Sequence, residues 1–416
     1  MRGWRIWRIS LGRPSSPRRG PRCRWWSVGN LESGPMADPV ADSVADVDTP
    51  LSTPETASPS SDPITKWLLM VAVLVFFMVL VGGFVRLSRA GLSITEWDPV
   101  TGVVPPIGHD AWVNSFAQYQ KTPEFRLVNS TMTLGEYQRI FYIEWAHRLI
   151  ARLAGLAVVV PLIWMMWKRR LSLRASLPYW GVAALFGVQG LIGWLMVSSG
   201  LQNRPSVSHY RLTIHLLTAG TLLALVLWMA WNRLDRDRPP RSAPPRAALM
   251  SRILLAAVVV QIAFGGLVAG LKAGLISDTW PLMNGAFLPR GALSQLTEAL
   301  GAHWFHRWFA FVVASLIVAT AGVILGDRRS DVSLRRAAIG LLAGVALQIS
   351  LGISLVLTGV PRWSALAHQG TGVAIFVVSL FVVHATREPA PQVVAAGSAT
   401  VDLDLGDTRT SAATPA

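Results

Sequence analysis

Four of the eight histidines stand at matching places in two halves of the sequence. They are His147 and His306, which are 159 residues apart, and His215 and His368, which are 153 apart. Each lies near the start of a long apolar segment. Neutral imidazole is a good iron ligand, and two imidazoles facing each other across a helix bundle suit a six-coordinate haem. We therefore expect two haem sites, formed by His147 with His215 and by His306 with His368.

Two other interpretations of these histidines remain open. Zinc is the weaker metal, because two histidines in each half supply too few ligands and the only cysteine is Cys23, far from all of them. Alternatively, the four residues are interfacial histidines that form only local hydrogen bonds.

A carboxylate accompanies only the first pair. Glu144 precedes His147 by three residues, so the two side chains share one helix face. The equivalent position of the second half has His303. Two haems that only pass electrons have no use for this difference, whereas proton chemistry at one haem does. We expect Glu144 to exchange protons at the first site; the alternative is a carboxylate that merely pairs with an arginine.

Arginines near these residues are candidates for binding haem propionates, because guanidinium and carboxylate pair through two hydrogen bonds. Arg211 lies about one helical turn before a histidine, and Arg148 and Arg307 each directly follow one. Arg152 lies deeper and needs a buried charge partner, either a propionate or the Glu144 side of the bundle. The alternative for each is snorkelling to lipid head groups. The full set is Arg86, Arg148, Arg152, Arg211 and Arg307.

Long apolar segments position these side chains. The chain has 416 residues, of which 52% are hydrophobic and 15% charged, against about a quarter charged in soluble proteins. Segments of about 20 apolar residues cross a bilayer, and their backbone must be helical because its polar groups pair within the segment. This predicts an all-α membrane protein with eight transmembrane helices, at 64–87, 146–167, 177–198, 211–231, 253–271, 305–325, 337–358 and 365–384.

The net charge of +15 would suit a nucleic-acid partner, but its distribution argues against one. Fourteen Arg and Lys lie in loops 168–178, 232–252 and 326–337, and only four in 201–210, 272–302 and 359–364. This is the positive-inside pattern. It predicts cytoplasmic termini in a bacterial inner membrane, or matrix termini in a mitochondrial one, with segment 88–143 outside.

An internal repeat divides the apolar core. "GGFVRLSRAGLSITEW" (82–97) aligns with "GGLVAGLKAGLISDTW" (265–280), and "QGLIGWLMVSSG" (189–200) with "QISLGISLVLTG" (348–359). Each half has four segments, so both insert the same way round. We expect two pseudo-symmetric four-helix bundles, at 63–232 and 253–386, joined by a cytoplasmic linker at 233–252.

The flanking segments 1–62 and 387–416 are predicted to be disordered. Up to Leu31 the chain has eight Arg and no acid, which is typical of a mitochondrial transit peptide. The favoured alternative is a start codon assigned too early, with Met36 as the true initiator.

Several stretches resemble the haem A synthase family in its proteobacterial and mitochondrial form, over roughly 64–384. They are "GGFVRLSRAGLSITEWDPVTGVVPP" (82–106), "PEFRLVNSTMTLGEYQRIFYIEWAHRLIAR" (123–152), "VSHYRLTIHL" (207–216), "FHRWFA" (305–310) and "HQ" (368–369). One departure is that 88–143 lacks the cysteine pair found in some bacterial members.

The resemblance implies an oxidoreductase that converts the C8 methyl of haem O to a formyl group, giving haem A for cytochrome oxidase. It implies that Glu144, the family's essential acid, lies with His147 and His215 at the substrate haem. His306 and His368 would then hold an electron-passing haem b. Haem O synthase is the natural donor, a membrane electron carrier accepts electrons, and a homo-oligomer is left open. The alternatives are a di-haem b-type electron-transfer cytochrome and a haem carrier or chaperone.

Overall fold

The computed structural model describes residues 62–98, 101–202 and 204–387, and the regular elements in these ranges are helices. Eight of them are long and apolar enough to cross a membrane. This confirms the predicted all-α membrane fold. The α-helices are α1 (Pro63–Leu87), α2 (His109–Gln120), α3 (Pro123–Val128), α4 (Leu134–Trp167), α5 (Leu173–Leu201), α6 (His209–Leu234), α7 (Pro245–Gly270), α8 (Ala299–Gly326), α9 (Val332–Leu357) and α10 (Arg362–Ala385).

Helix α4 begins well before the apolar segment predicted at 146–167. Its start is fixed by a capping box. The Thr133 hydroxyl accepts from Glu136 N at 3.4 Å, and the Glu136 carboxylate accepts from Thr133 N at 2.8 Å. As a result, His147 lies in the middle of α4, whereas the other three predicted ligands lie near the start of their helices.

The long helices contact one another in two sets of four. In the first half, α1 contacts α4 and α6, and α5 contacts α4 and α6. In the second half, α7 contacts α8 and α10, and α9 contacts α8 and α10. Contacts of α6 with α7, of α1 with α10 and of α6 with α10 join the sets. The division of the chain into two bundles with the predicted boundaries stays a prediction.

Glycines permit close approach where the two sets meet. Gln369 Nε2 of α10 donates to Val79 O of α1 at 2.7 Å, and a Cβ on Gly83 would lie 2.1 Å from the Gln369 Oε1. At the repeat-equivalent place in α7, a Cβ on Gly266 would lie 2.8 Å from the Thr213 hydroxyl of α6. A side chain at Gly83 would displace the Gln369 amide, and one at Gly266 would press on Thr213 of the neighbouring helix.

The segment between α1 and the membrane-spanning part of α4, called the outer segment after its predicted location, is folded. Helices α2 and α3 and the first turns of α4 enclose an aromatic cluster of Trp112, Tyr119, Tyr137 and Phe141. The Tyr137 hydroxyl also donates to Ser93 O at 3.3 Å, which ties this cluster to the residues that follow α1. The cluster thus fixes the outer segment over the end of the first half.

The described chain starts and ends close to the predicted termini of the core. Asp62 caps α1 by accepting from Ile64 N and Thr65 N, and its carboxylate pairs with Arg233 at 2.6 Å. The predictions for 1–61 and 388–416, including the initiator at Met36, lie outside the described residues.

Candidate haem sites

Each of the four predicted histidines packs its ring against a glycine on the long helix that precedes its own. These glycines obey the same repeat as the histidines. Because a glycine has no side chain, the ring can lie close to the neighbouring backbone. A Cβ on Gly82 would lie 3.5 Å from His147 Nε2, one on Gly193 3.1 Å from His215 Cε1, one on Gly265 3.0 Å from His306 Cε1, and one on Gly352 3.3 Å from His368 Cε1.

The second-half histidines face each other at a spacing that suits a shared metal. The ring centroids of His306 and His368 lie 6.3 Å apart, with the ring planes at 71°. Metal–imidazole bonds of about 2 Å on either side of one ion fit this separation. His306 Nδ1 lies 3.2 Å from Gln261 O, so donation to this carbonyl leaves Nε2 as the ligand atom. This site therefore fits an iron with two axial imidazoles.

One glutamine lies beside the ring of His215, and another lies beside the ring of His368. Gln189 Nε2 lies 3.4 Å from His215 Nε2, and Gln348 Nε2 lies 3.2 Å from His368 Nε2. Among the described residues, Nδ1 of each of these histidines has no hydrogen-bond partner. Buried polar atoms of this kind normally have a partner, so a ligand atom is expected here. The pairing of His147 with His215 in one site stays a prediction.

The supporting roles of these glutamines and glycines were not predicted from the sequence. A signal was present, because Gln189 and Gln348 open the matched stretches of the internal repeat, and Gly193 and Gly352 lie within them. Matching letters alone do not indicate which residues of a helix face a histidine on its neighbour.

Glu144 is buried, with 2% of its surface exposed, and all its hydrogen-bond partners in the described chain are donors. Its Oε1 accepts from Arg148 Nη2 at 2.6 Å and Nε at 3.1 Å. Its Oε2 accepts from the Ser93 hydroxyl at 2.7 Å and Ile94 N at 2.9 Å. The carboxylate therefore joins α4 to the residues after α1. This geometry agrees with the alternative interpretation, in which Glu144 pairs with an arginine.

The second half repeats this arrangement without the acid. Arg307 Nη1 donates to Thr279 O at 3.1 Å, as Arg148 Nη1 donates to Glu96 O at 3.3 Å, and these two carbonyls are repeat-equivalent. Arg307 Nη2 lies 3.4 Å from Nε2 of His303, the residue that replaces the carboxylate. Both halves thus use an arginine to hold an outer loop, and only the first has a carboxylate beside it.

The remaining predicted arginines are Arg86, Arg152 and Arg211, and the last two donate to backbone carbonyls. Arg152 Nη2 donates to Asp98 O at 2.7 Å, and Arg211 Nη1 donates to Leu195 O at 2.5 Å. Arg148 and Arg152 also line a cavity of about 410 Å³ beneath the outer segment. Arg86 lies in the last turn of α1. Propionate binding by these arginines stays a prediction.

Comparison with known proteins decides the family. The sequence pattern of the COX15-CtaA family, described as a cytochrome oxidase assembly protein, matches residues 65–380. The chain belongs to this family. The matched range contains both pairs of histidines and Glu144.

Several relatives of this family member are named "Heme A synthase", which confirms the resemblance found in the sequence. The one from Methylobacterium sp. (strain 4-46) is 43% identical over 345 residues, covering 79% of this chain and 93% of the relative. Those from Maricaulis maris and Sphingopyxis alaskensis are 41% and 39% identical, covering 77% and 79% of this chain and 95% and 93% of the relatives.

Proposed function

We propose that this chain is a haem A synthase that oxidises the C8 methyl of haem O to a formyl group. The support is the similarity to relatives named "Heme A synthase", 39–43% identical over more than three quarters of the chain. The reaction comprises two successive oxidations through an alcohol, and the hydrated aldehyde then loses water. The electrons leave to a membrane electron carrier.

The first half binds the substrate. His147 and His215 hold the iron of haem O between α4 and α6, and the glycines beneath both rings let them approach the neighbouring helices. Arg86, Arg148, Arg152 and Arg211 bind the propionates, and two of them, Arg148 and Arg152, line the cavity beneath the outer segment. Arg307 takes the same role in the second half.

His306 and His368 of the second half would hold haem b, and the 6.3 Å separation of their rings supports this assignment. Haem b supplies one-electron transfer when bound. His306 is oriented by the Gln261 carbonyl, and Gln348 supports the ring of His368. These contacts fix the two imidazoles before the cofactor binds.

Glu144 is the residue that exchanges protons with the substrate. It lies on the same helix as His147, and Ser93, Ile94 and Arg148 hold its carboxylate in one orientation. A positioned carboxylate accelerates proton transfer by about 10²–10⁴-fold. The single observation that supports an enzyme over a symmetric electron carrier is that repeat-equivalent positions 144 and 303 differ in this group.

A di-haem b-type electron-transfer cytochrome is the second candidate. The observation that favours it is the closed hydrogen bonding of Glu144, since a carboxylate with four donors can be purely structural. In that case the first site would hold haem without altering it.

The test compares Glu144→Gln with the matched variant His303→Gln in a host that makes haem O. Both variants are purified, and the extracted pigments are separated by chromatography. Glu144→Gln should retain both haems and produce little or no haem A, whereas His303→Gln should still produce it. If Glu144→Gln yields as much haem A as the unaltered chain, Glu144 has no catalytic role.

The setting follows from the charge pattern. The chain is a multi-pass membrane protein with bacterial relatives. We place it in the inner membrane with both termini cytoplasmic, so that both haem sites lie toward the outer face. Haem O synthase is the proposed donor of the substrate.

A further inference from the structure

A second carboxylate is buried outside the membrane-spanning helices. Glu124 lies in α3, whose start is fixed by Thr122 and Pro123. Only 6% of its surface is exposed, and its Oε2 has no hydrogen-bond partner within the described part of the chain. A buried carboxylate oxygen without a donor is costly, so a purely structural role does not explain this residue.

Ionisable groups from four parts of the chain interact electrostatically with Glu124. They are Glu144 on α4, Tyr119 on α2, Arg89 after α1 and Lys272 after α7. Arg89 and Lys272 are repeat-equivalent, and both adopt a left-handed backbone conformation. Helix α3 also packs against α5, which places Glu124 above the outer end of the first half.

Burial brings the pKa of the Glu124 carboxyl close to neutral pH. Desolvation, and next to it the negative charge of Glu144, raise the pKa of Glu124 from 4.5 to about 7. The positive charges of Lys272 and Arg89 act in the opposite direction. A group with this pKa can take up and release protons at physiological pH.

We propose that Glu124 exchanges protons between Glu144 and the aqueous phase outside the membrane. The inference rests on the proposed haem A synthase function, in which Glu144 gains and loses protons during each oxidation. Packing links the two carboxylates: Phe125, next to Glu124, packs edge-on against Tyr119, which contacts Tyr137. The Tyr137 hydroxyl donates to Ser93 O, and the Ser93 hydroxyl donates to Glu144. The unpartnered Oε2 of Glu124 can accept a proton. Glu124 acts on the reaction only through Glu144 and does not itself contact the substrate.

The proposed transfer moves only a proton between the two carboxyl groups and water. When Glu144 gives up a proton, it becomes a carboxylate and Glu124 becomes a neutral acid. Glu124 then releases that proton to water outside and returns to the charged form. The reverse order resupplies Glu144. No bond other than O–H changes, and no oxidant or reductant is consumed in the transfer.

The experiment measures the pH profile of haem A formation in membranes from a host that makes haem O. The variants are Glu124→Gln, Glu124→Asp, and Asp110→Asn, an exposed acid of α2, as the matched control. Glu124→Gln should lower conversion by about tenfold or more near pH 7 while both haems stay bound. The unaltered chain, the control and Glu124→Asp should each show an inflection, which Glu124→Gln lacks.

A fourth variant separates proton exchange from a structural role. Lys272→Gln removes a positive charge that lowers the Glu124 pKa, so the inflection should move to higher pH. A structural residue would not produce this shift. Wild-type conversion with an unchanged profile in Glu124→Gln, or an inflection unmoved in Lys272→Gln, would overturn the inference. If the unaltered chain makes no haem A, the proposed function itself fails, which is a distinct result.

Discussion

Arg148 Nη2 lies 2.6 Å from Glu144 Oε1, and the same guanidinium group donates to the backbone carbonyls of Ile94 and Glu96. One arginine therefore holds both the proposed catalytic carboxylate and the residues that follow α1. In the second half, Arg307 has the loop contacts but faces His303 in place of the acid. The first half thus couples its acid to the fold of the outer segment.

Arg148→Gln should destabilise the protein, because it leaves the buried Glu144 carboxylate without its cation. Removing one partner of a buried ion pair costs about 3–5 kcal/mol. Thermal unfolding in detergent measures this loss. The double variant with Glu144→Gln should recover part of the stability, since no buried charge is left unpaired. A single variant as stable as the unaltered chain would show that the pair contributes nothing.

Substituting the glycine under a histidine should weaken haem binding in that half only. A Cβ on Gly265 would lie 3.0 Å from His306 Cε1, and one on Gly193 lies 3.1 Å from His215 Cε1, so the rings must move. Gly265→Ala should reduce the second-half haem and Gly193→Ala the first-half haem. Absorption spectra and extracted haem content check this.

The chain offers matched controls for these glycines. Gly190 on the same helix as Gly193, and Gly322 in the second half, have open space where a Cβ would be placed. Gly190→Ala and Gly322→Ala should therefore keep normal haem content. Equal losses in the controls and the test variants would refute the role of the glycine contacts.

Alanine variants of the four histidines should fall into two pairs. His306→Ala and His368→Ala should lose the same haem, and His147→Ala and His215→Ala the other, so each variant retains about half of the bound haem. Redox titration of each purified variant identifies which haem remains. Loss of different haems by His306→Ala and His368→Ala would contradict the assignment of ligands.

Stability should depend on pH through Glu124. Its pKa in the folded protein is raised from 4.5 to about 7, so the folded state binds this proton more tightly than the unfolded state. The free energy of unfolding should therefore fall as pH rises from about 4.5 to about 7, by up to about 3 kcal/mol.

Unfolding measured at several pH values tests this dependence. Glu124→Gln should lack the decline in stability over that interval, because it has no titrating group, while Asp110→Asn should keep it. A decline of the same size in Glu124→Gln would assign the pH dependence to another residue.

The membrane spans and the four histidines could be predicted from sequence because both depend on local patterns. Apolar runs identify each span, and the repeat identifies the equivalent histidines. The start of α4 at Leu134 could not be found this way, since its first turns are polar and aromatic and pack against α2. Hydropathy detects burial in lipid and not burial under an outer segment.

The surroundings of Glu144 depend on contacts between distant parts of the chain. Ser93 lies 51 residues before Glu144 and bonds to it at 2.7 Å. Only the path of the chain after α1 brings these two residues together. In the sequence, Glu124 likewise looks like an ordinary loop acid, and its burial results from the packing of α3.

Conversion of haem O to haem A by this chain can be measured in a single experiment. The most direct measurement is to express it in a host that makes haem O but not haem A, purify it, and separate its extracted pigments by chromatography. We expect the extract to contain haem A. Folded protein that contains haem O and haem b but no haem A would contradict this expectation.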